Sequence, residues 1–330
     1  MTDGLLFRAQ NVKKHFPVRS RGLFGRSPAR AVKAVDGVSF CLYEGETLGV
    51  IGESGCGKST LARLAMGLLE PTEGTLEFEG TPVGANMPLR MRRDVQMVFQ
   101  DPYTSLDPRM SIRRILEEPL RVHERQSRTE RDAKLPPLLE QVGLSADALD
   151  KFAHEFSGGQ LQRIGIARAL MSEPKLLICD EPVSALDVSI QAQVLNLFAS
   201  LKKARRLTYL FISHDMGVIR HVSDRIIVMY LGRVVEVAAK DELFTHALHP
   251  YTRALISAIP VPDPRAKARE HRLLLSGELP SPIDTPPGCA FAPRCPRAEA
   301  RCRSEAPALA EMAPRHSAAC HLAKAGDDTW

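Results

Sequence analysis

Apolar positions change their spacing repeatedly along the chain, and each change predicts an element. The run TLGVIG, Thr47 to Gly52, is short, apolar and closed by glycine; residues 5–16 and 34–52 read as strand-rich around it. After Gly57, the stretch KSTLARLAMGLL carries Leu61, Leu64, Ala65 and Leu68 at helical spacing. DVQMVFQ, Asp94 to Gln100, reads as a strand, and residues 111–156 read largely as helix, with ends expected at Pro119 and Pro136. LQRIGIARALMSEP is a further helix, stopped by Pro174, and the four-residue apolar run in KLLICDEP fits a strand buried on both faces. A helix near 190–205 and a strand from Thr208 to His214 follow, then paired strands in DRIIVMYLGRVVEVA turning near Gly232, and a helical DELFTHALHPYTRALISAIP broken around Pro250. The expected class is α/β.

Two stretches break this pattern. Val18 to Lys33, rich in Arg, Gly, Ser and Pro with no acidic residue, reads as a loop. A solvated surface loop is the ordinary reading, and contact with anionic lipid or phosphate is the alternative. After Pro260 long apolar runs vanish, and eleven of the 24 prolines lie between 260 and 314. The expected division is therefore 1–260, a main domain, and 261–330, an appendage too small and Pro-rich for a large core of its own.

Composition narrows the classes. The 330 residues are 44% hydrophobic and 25% charged, ordinary for a soluble globular protein, and the net charge of +5 suits an anionic ligand better than DNA wrapping. The N-terminus carries charges within its first eight residues and lacks an apolar h-region, so no signal peptide is expected. No run approaches the roughly eighteen apolar residues of a membrane span. Of the seven cysteines, Cys41, Cys56 and Cys179 are scattered, whereas Cys289, Cys295, Cys302 and Cys320 gather in the tail with the spacing C-x5-C-x6-C-x17-C. Disulfides are not expected in a reducing compartment, so the tail cluster needs another explanation.

GESGCGKST, Gly52 to Thr60, matches G-x-x-x-x-G-K-[ST] between an expected strand and an expected helix. Gly52, Gly55 and Gly57 let backbone N–H groups turn inward around phosphate oxygens, and the helix from Lys58 adds its positive end. Lys58 can bridge the β- and γ-phosphates and the Ser59 hydroxyl can ligate Mg²⁺. Ser54 and Thr60 complete the nucleotide-contacting set. LLICDE supplies the complement: Asp180 at a strand's C-terminal end to hold Mg²⁺, and Glu181 beside it to polarise an attacking water. Alone, an Asp-Glu pair after a strand is a polar loop; the phosphate loop upstream gives it weight.

FSGGQLQR, Phe156 to Arg163, resembles the signature motif of ATP-binding cassette (ABC) proteins, usually led by Leu rather than Phe. As residues it reads as a second anion-binding helix end: Ser157 the cap, Gly158 and Gly159 permitting close approach, then Gln160 and an uninterrupted helix. The resemblance implies an α/β P-loop NTPase of ABC type. Such a fold has a mixed sheet core, an antiparallel β subdomain and a helical subdomain, here about 101–170, and this chain adds a small Pro/Cys-rich C-terminal extension. It also implies a head-to-tail dimer in which one chain's signature faces the other's γ-phosphate. By the same resemblance, Gln100 in VFQDP is the Q-loop glutamine that senses Mg²⁺ and contacts a membrane partner, and SALD, ending in Asp187, is the D-loop. His214 in ISHD is the switch histidine, and Phe16 is the aromatic that stacks on adenine.

VKKHFPV, AVDGVSF, VFQDPYTSLDPRM, EPVSALDVSIQAQVLNLF, HPYTRAL and the tail PPGCAFAPRCP resemble the oligopeptide/dipeptide importer branch over nearly the whole chain. What this implies is an ATP-hydrolysing subunit, peripheral on the cytoplasmic face of the inner membrane, that powers import of di- or oligopeptides or of related solutes such as nickel. The implied partners are two permeases, a second ATPase chain (a hetero-pair before a homodimer) and, indirectly, a substrate-binding protein. No nucleic acid is expected as a partner. The contrasting class, a soluble ABC ATPase acting on nucleic acid or ribosomes, is disfavoured by a gap of only about one hundred residues between phosphate loop and signature, and by a single cassette. The branch further implies a [4Fe–4S] cluster on Cys289, Cys295, Cys302 and Cys320. Structural zinc usually shows a tight C-x2–4-C pair, whereas cluster thiolates spread more widely. Zinc, with His321 as a substitute ligand, and unmetallated thiols are the alternatives. The tail is expected to lie distal to the ATP chemistry.

Overall fold

The computed structural model describes residues 4–18, 30–123, 126–259, 273, 275, 277 and 279–324. The chain opens with β1 (Leu5–Val18), β2 (Arg30–Tyr43) and β3 (Thr47–Ile51), and passes through α1 (Lys58–Ala65) to β4 (Glu73–Phe78) and β5 (Thr81–Pro82). Helix α2 (Leu89–Asp94) leads to β6 (Val95–Val98). Then α3 (Pro102–Ser105), α4 (Ile112–His123), α5 (Arg128–Gln141) and α6 (Gly158–Leu170) intervene before β7 (Leu176–Asp180). The sequence α7 (Val188–Arg205), β8 (Thr208–Ser213), α8 (Met216–Val222), β9 (Arg225–Tyr230), β10 (Arg233–Ala239), α9 (Lys240–Thr245) and α10 (Pro250–Ser257) follows. The tail adds α11 (Ala300–Ser304), β11 (Ala310–Ala313) and β12 (His316–Ala318).

Two sheets result. A four-stranded antiparallel sheet has the order β2-β1-β4-β5, and an eight-stranded mixed sheet runs β11-β12-β10-β9-β3-β8-β7-β6. From β6 to β9 every pairing in the larger sheet is parallel, and all five residues of both β3 and β7 are buried. The period-2 alternation of a strand divides their side chains between two cores. Leu177, Cys179, Tyr209, Phe211, Ile226 and Val228 face a cluster shared with α4 to α7, while Leu176, Ile178, Leu210, Ile212, Ile227 and Met229 face one shared with α1 and the antiparallel sheet. The mixed sheet, antiparallel subdomain and helical insertion agree with the expected class.

Several local expectations are corrected. Helix α4 runs through Pro119, and α5 runs through Pro136 and Pro137. An internal proline costs about 3 kcal/mol or more. Against that, α4 buries Ile112, Ile115, Leu116 and Leu120 almost completely, each contributing roughly 1.5–3 kcal/mol, so packing wins. Helix α1 stops at Ala65 because Gly67 turns left-handed (φ 68°), and Leu68, expected on its apolar face, is exposed. The loop expected at 18–33 is narrower: β2 begins at Arg30, paired with Val18. Residues 19–29, and with them the question of lipid contact, lie outside the described residues, as does the stretch 260–272 where the domain boundary was expected.

The extension is sewn into the cassette's own sheet. Strand β12 pairs antiparallel with β10 (Glu236↔Ala318, Val237↔Ser317), and Phe291 is buried in the main core. One fully buried carboxylate anchors this junction. Glu236 accepts from the backbone N–H groups of Leu248 (2.6 Å) and His249 (2.9 Å), and lies 2.7 Å from Nε2 of the buried His316. Burial pushes His316 down, but hydrogen bonds to Glu236 and Glu242 outweigh it and hold the imidazole above its ordinary value.

Candidate nucleotide-binding site

Strand β3 delivers the chain to Gly52, and α1 begins at Lys58 with Gly57 as its N-cap in the left-handed region (φ 108°). A Cβ on Gly57 would lie 2.0 Å from the Ala34 carbonyl oxygen, and one on Gly52 would lie 2.2 Å from that of Met229. Only glycine allows this loop to nest between β2 and β9. Lys58 is nearly buried, and its Nζ donates to the carbonyls of Gly52 (2.7 Å) and Glu53 (3.1 Å). In front of the loop is a cavity of about 300 Å³ lined by Ser54, Gly55, Gly57, Lys58, Ser59 and Thr60, together with Gln100, Glu181, Val32, Ala34 and Pro282.

Three separate sequence segments converge on Glu181. Its Oε2 accepts from Gln100 Nε2 (3.3 Å) and sits 2.9 Å from His214 Nδ1, and its Oε1 is 3.9 Å from Lys58 Nζ. The residue itself is left-handed (φ 48°), and its N–H donates to Ile212 O at 3.0 Å. A non-glycine residue in that region carries strain that the surrounding structure must support. Next to it, Asp180 Oδ1 accepts from Ser59 Oγ at 3.0 Å. Burial raises the Asp180 carboxyl above its ordinary value; the Ser59 hydrogen bond opposes this and the Glu181 charge adds to it. Two hard oxygen donors, one anionic, at the C-terminal edge of parallel strands have the chemistry Mg²⁺ selects. A cation there would reverse the pressure on Asp180.

Other expected residues are not gathered here. Ser157, Gly158, Gly159 and Gln160 open α6, but none of them lines the cavity. Gln160 Oε1 accepts from both Ser157 N–H (3.0 Å) and Ser157 Oγ (3.1 Å), a self-contained cap. A Cβ on Gly159 would meet Ile190 at 2.4 Å, so packing of α6 against α7 already requires that glycine. Asp187 is the exposed N-cap residue of α7, with Val188 beside it 83% exposed. Phe16 stands on β1 opposite Val32, which does line the cavity; its own ring is partly exposed, with Lys14 Nζ 5.3 Å from the centroid.

Sequence reasoning missed the buttress behind the loop. Arg294, 8% exposed, donates from Nη1 to Glu53 Oε2 (2.8 Å) and from Nη2 to Glu53 Oε1 (3.0 Å), while Tyr251 Oη accepts from Glu53 N–H (2.8 Å). The tail is therefore not distal to the phosphate loop: the expectation failed because the chain returns along β10 and β12 to the sheet that carries it. A separation of 241 residues leaves no local signal for such a contact. A larger cavity, about 790 Å³, lies at the opposite edge of the strands beside Lys175, Lys202, Arg206 and Thr208, and contains no motif residue.

The tail cysteines share one neighbourhood. Cys289, Cys302 and Cys320 each act electrostatically on Cys295, and Cys289 N–H donates to Cys302 O at 2.8 Å. All seven cysteines are free, and burial drives the thiols of Cys289, Cys295 (to about 11) and Cys320 upward, which favours the protonated form. Among the described residues no group of three or more His, Cys, Asp or Glu is set to hold a metal ion. The donor chemistry suits iron–sulfur or zinc, but the arrangement is not that of a ligand set. His321 Nε2 instead contacts the Glu305 carbonyl at 2.9 Å.

Comparison with known proteins gives two family matches: "ABC transporter" over residues 35–184, and "Oligopeptide/dipeptide transporter, C-terminal region" over 235–302. The chain is 52% identical to the oligopeptide transport ATP-binding protein AppF of Bacillus subtilis, over 96% of this chain and 97% of that one. It is 50% identical to OppF of Escherichia coli (97% of each) and 51% identical to the di/tripeptide transport ATP-binding protein DppF of Pseudomonas aeruginosa (96% and 97%). Among solved structures it resembles cbiO1 of Clostridium perfringens, part of an ABC transporter complex, with TM-score 0.63 and 26% identity over 74% of this chain and 92% of that one. It also resembles the dimeric ATP-binding cassette MJ0796 bound to ADP and Pi, with TM-score 0.62 and 28% identity over 71% and 99%.

Proposed function

The chain belongs to the ABC transporter ATPases, in the group of oligopeptide transport ATP-binding proteins, and from that premise we propose how its residues work. It binds and hydrolyses ATP to drive import of di- or oligopeptides through permease partners. The observation that carries the reading is the convergence of Gln100, His214 and Lys58 on Glu181, next to the Ser59–Asp180 pair, at the mouth of the phosphate loop.

In this reading the loop Gly52–Thr60 cradles the phosphates, with Lys58 as the charge that reaches the β- and γ-phosphates. Ser59 and Asp180 would hold Mg²⁺, which would supply charge neutralisation to the phosphates. Glu181 accepts the proton of the attacking water. His214 fixes the carboxylate through Oε2, and Gln100 reports the state of the site outward. Phe16 stacks on the adenine, continuing the wall begun by Val32 and Ala34. The cap Ser157–Gln160 and Asp187 are presented to a second ATPase chain, whose nucleotide they complete. The exposure of Ser157, Gln160 and Asp187 on this chain supports that assignment, and the dimeric cassette structure provides the precedent for pairing. A hetero-pair is the expected form.

The permease contact falls beside Gln100. Phe99 and Tyr103 are exposed there, and Phe99 lines a groove of about 250 Å³ together with Met66, Met97 and Val122. Among the described residues no helix is long and apolar enough to cross a membrane, which suits a peripheral subunit held at the cytoplasmic face by that groove. The [4Fe–4S] cluster expected on the four tail cysteines has no ligand set behind it among the described residues, and absorbance near 400 nm with iron and sulfide analysis on anaerobically purified protein tests that expectation.

For the main reading, the test is reconstitution with permeases and binding protein in proteoliposomes. Peptide should stimulate ATP turnover, and Glu181→Gln should lower turnover about 10²–10⁴-fold while trapping ATP-bound dimers. Parental turnover in that variant would refute the assignment of Glu181.

A further inference from the structure

Glu53 is the second residue of the phosphate loop, and it is fixed from outside the loop at two points. Tyr251 Oη takes its N–H, and Arg294 grips its carboxylate with two parallel bonds of 2.8 and 3.0 Å. Its carbonyl accepts from Lys58 Nζ, so whatever holds Glu53 also sets the lysine. The grip is pre-organised. Arg294 is itself buried, its Nη1 lies 3.5 Å from Tyr230 Oη, and the Phe291 ring three residues earlier packs on Tyr230 and Tyr251 with centroids 5.3 and 5.5 Å away. Elsewhere in the extension, Pro282 lines the cavity and its carbonyl accepts from Lys33 N–H at 3.1 Å, while Asp284 takes the Arg30 guanidinium at 2.6 Å.

A carboxylate beside a triphosphate site repels its ligand unless its charge is answered. An arginine fork answers the charge and also fixes the position of the backbone that bears it, which a lysine does less well. We propose that Arg294 is a positioning residue for ATP: by clamping Glu53 it sets the phosphate loop and cancels the one acidic charge within it, so the C-terminal extension is a working part of the nucleotide site. The proposal rests on the reading of 52–60 as the ATP site.

The test uses the full chain, MgATP titrated by calorimetry, steady-state ATPase kinetics and a thermal melt. Arg294→Ala is expected to weaken MgATP binding and raise KM about tenfold, with kcat at saturating ATP changed less than about twofold. Arg294→Lys should fall between, at about threefold. Glu53→Gln combined with Arg294→Ala should recover most of the lost affinity, because the unanswered charge is gone; a merely structural arginine would give no such rescue. Should Arg294→Ala not fold, the lysine variant and the double variant decide. Wild-type affinity in both Arg294 variants, or no rescue by the Glu53 change, overturns the proposal alone. A wild-type chain that binds no MgATP overturns this proposal together with the reading beneath it.

Discussion

Two helix N-termini in this chain are proposed to take anions, and they differ in what surrounds them. At the start of α1 the loop is enclosed. Gly57 is pressed against β2, Lys58 is buried, and the carboxylates of Asp180 and Glu181 stand opposite with Ser59, Gln100 and His214 bonded to them. At the start of α6 the cap closes on itself through Gln160, and the exposed Tyr103 ring lies against Gly158. The first end has the proposed catalytic groups beside it. The second has backbone donors, and its residues Ser157–Gln160 do not line the phosphate-loop cavity. A helix end supplies partial charge only within its first turn, so in the proposed reading the second end acts on a ligand that another molecule brings to it.

That contrast can be broken by experiment. The largest effect is expected from Lys58→Ala, which removes the buried charge of the enclosed end: MgATP affinity of the isolated chain should fall about 10³-fold, measured by calorimetry. Affinity within tenfold of wild type would mean that the enclosed end is not the primary site. Ser157→Arg should do the opposite. Binding to the isolated chain should be unchanged, whereas turnover in the assembled transporter should drop about 10²-fold, the loss typical of removing one transition-state donor. If isolated-chain binding falls in step with turnover, the second end is not a contribution made to a partner.

A pH experiment probes the support behind the enclosed end. His249 caps α10, with Nδ1 accepting from Tyr251 N–H, and burial drives this imidazole down to about 4. A histidine depressed on folding contributes stability that is complete above its unfolded value near 6.5 and is lost as pH falls toward 4. By pH 5 the loss should be about 2 kcal/mol relative to neutral. His316 has the opposite sign. Its raised value makes its contribution complete below 6.5 and lost as pH rises through the folded value, so the acid limb belongs to His249. Comparing denaturant unfolding of wild type and His249→Asn, which keeps a capping acceptor, at pH 7 and pH 5 isolates it. An equally steep acid limb in the variant would refute the assignment. The smallest effect is expected from Phe16→Ala, about 1 kcal/mol or fivefold in ATP affinity, with GTP and ATP losing alike because stacking does not read base edges.

The motifs at the enclosed end were legible because each is nearly local. A strand, a glycine turn and a helix start are specified by nine consecutive residues, Gly52–Thr60, and the five buried residues of β7 carry Asp180 to the same edge by strand geometry alone. Helix ends inside 111–156 were misjudged, since a local rule about proline was set against burial that only the assembled helices provide. The loop expected at 18–33 was overdrawn because β-pairing of Arg30 with Val18 extends strands into polar sequence.

By itself, then, the sequence named the candidates: the side chains proposed to meet phosphate, cation and water, and a second helix end proposed to take an anion. Tertiary structure alone decided which of these meet within one chain. It drew Gln100, Glu181 and His214 together at the phosphate loop, left Ser157–Gln160 facing outward, and carried the tail back to the loop through Arg294 and to the sheet through His316. The reason is physical. A motif needs only the short-range geometry of contiguous backbone, whereas contacts across 241 or 80 residues depend on where the strands between them have paired.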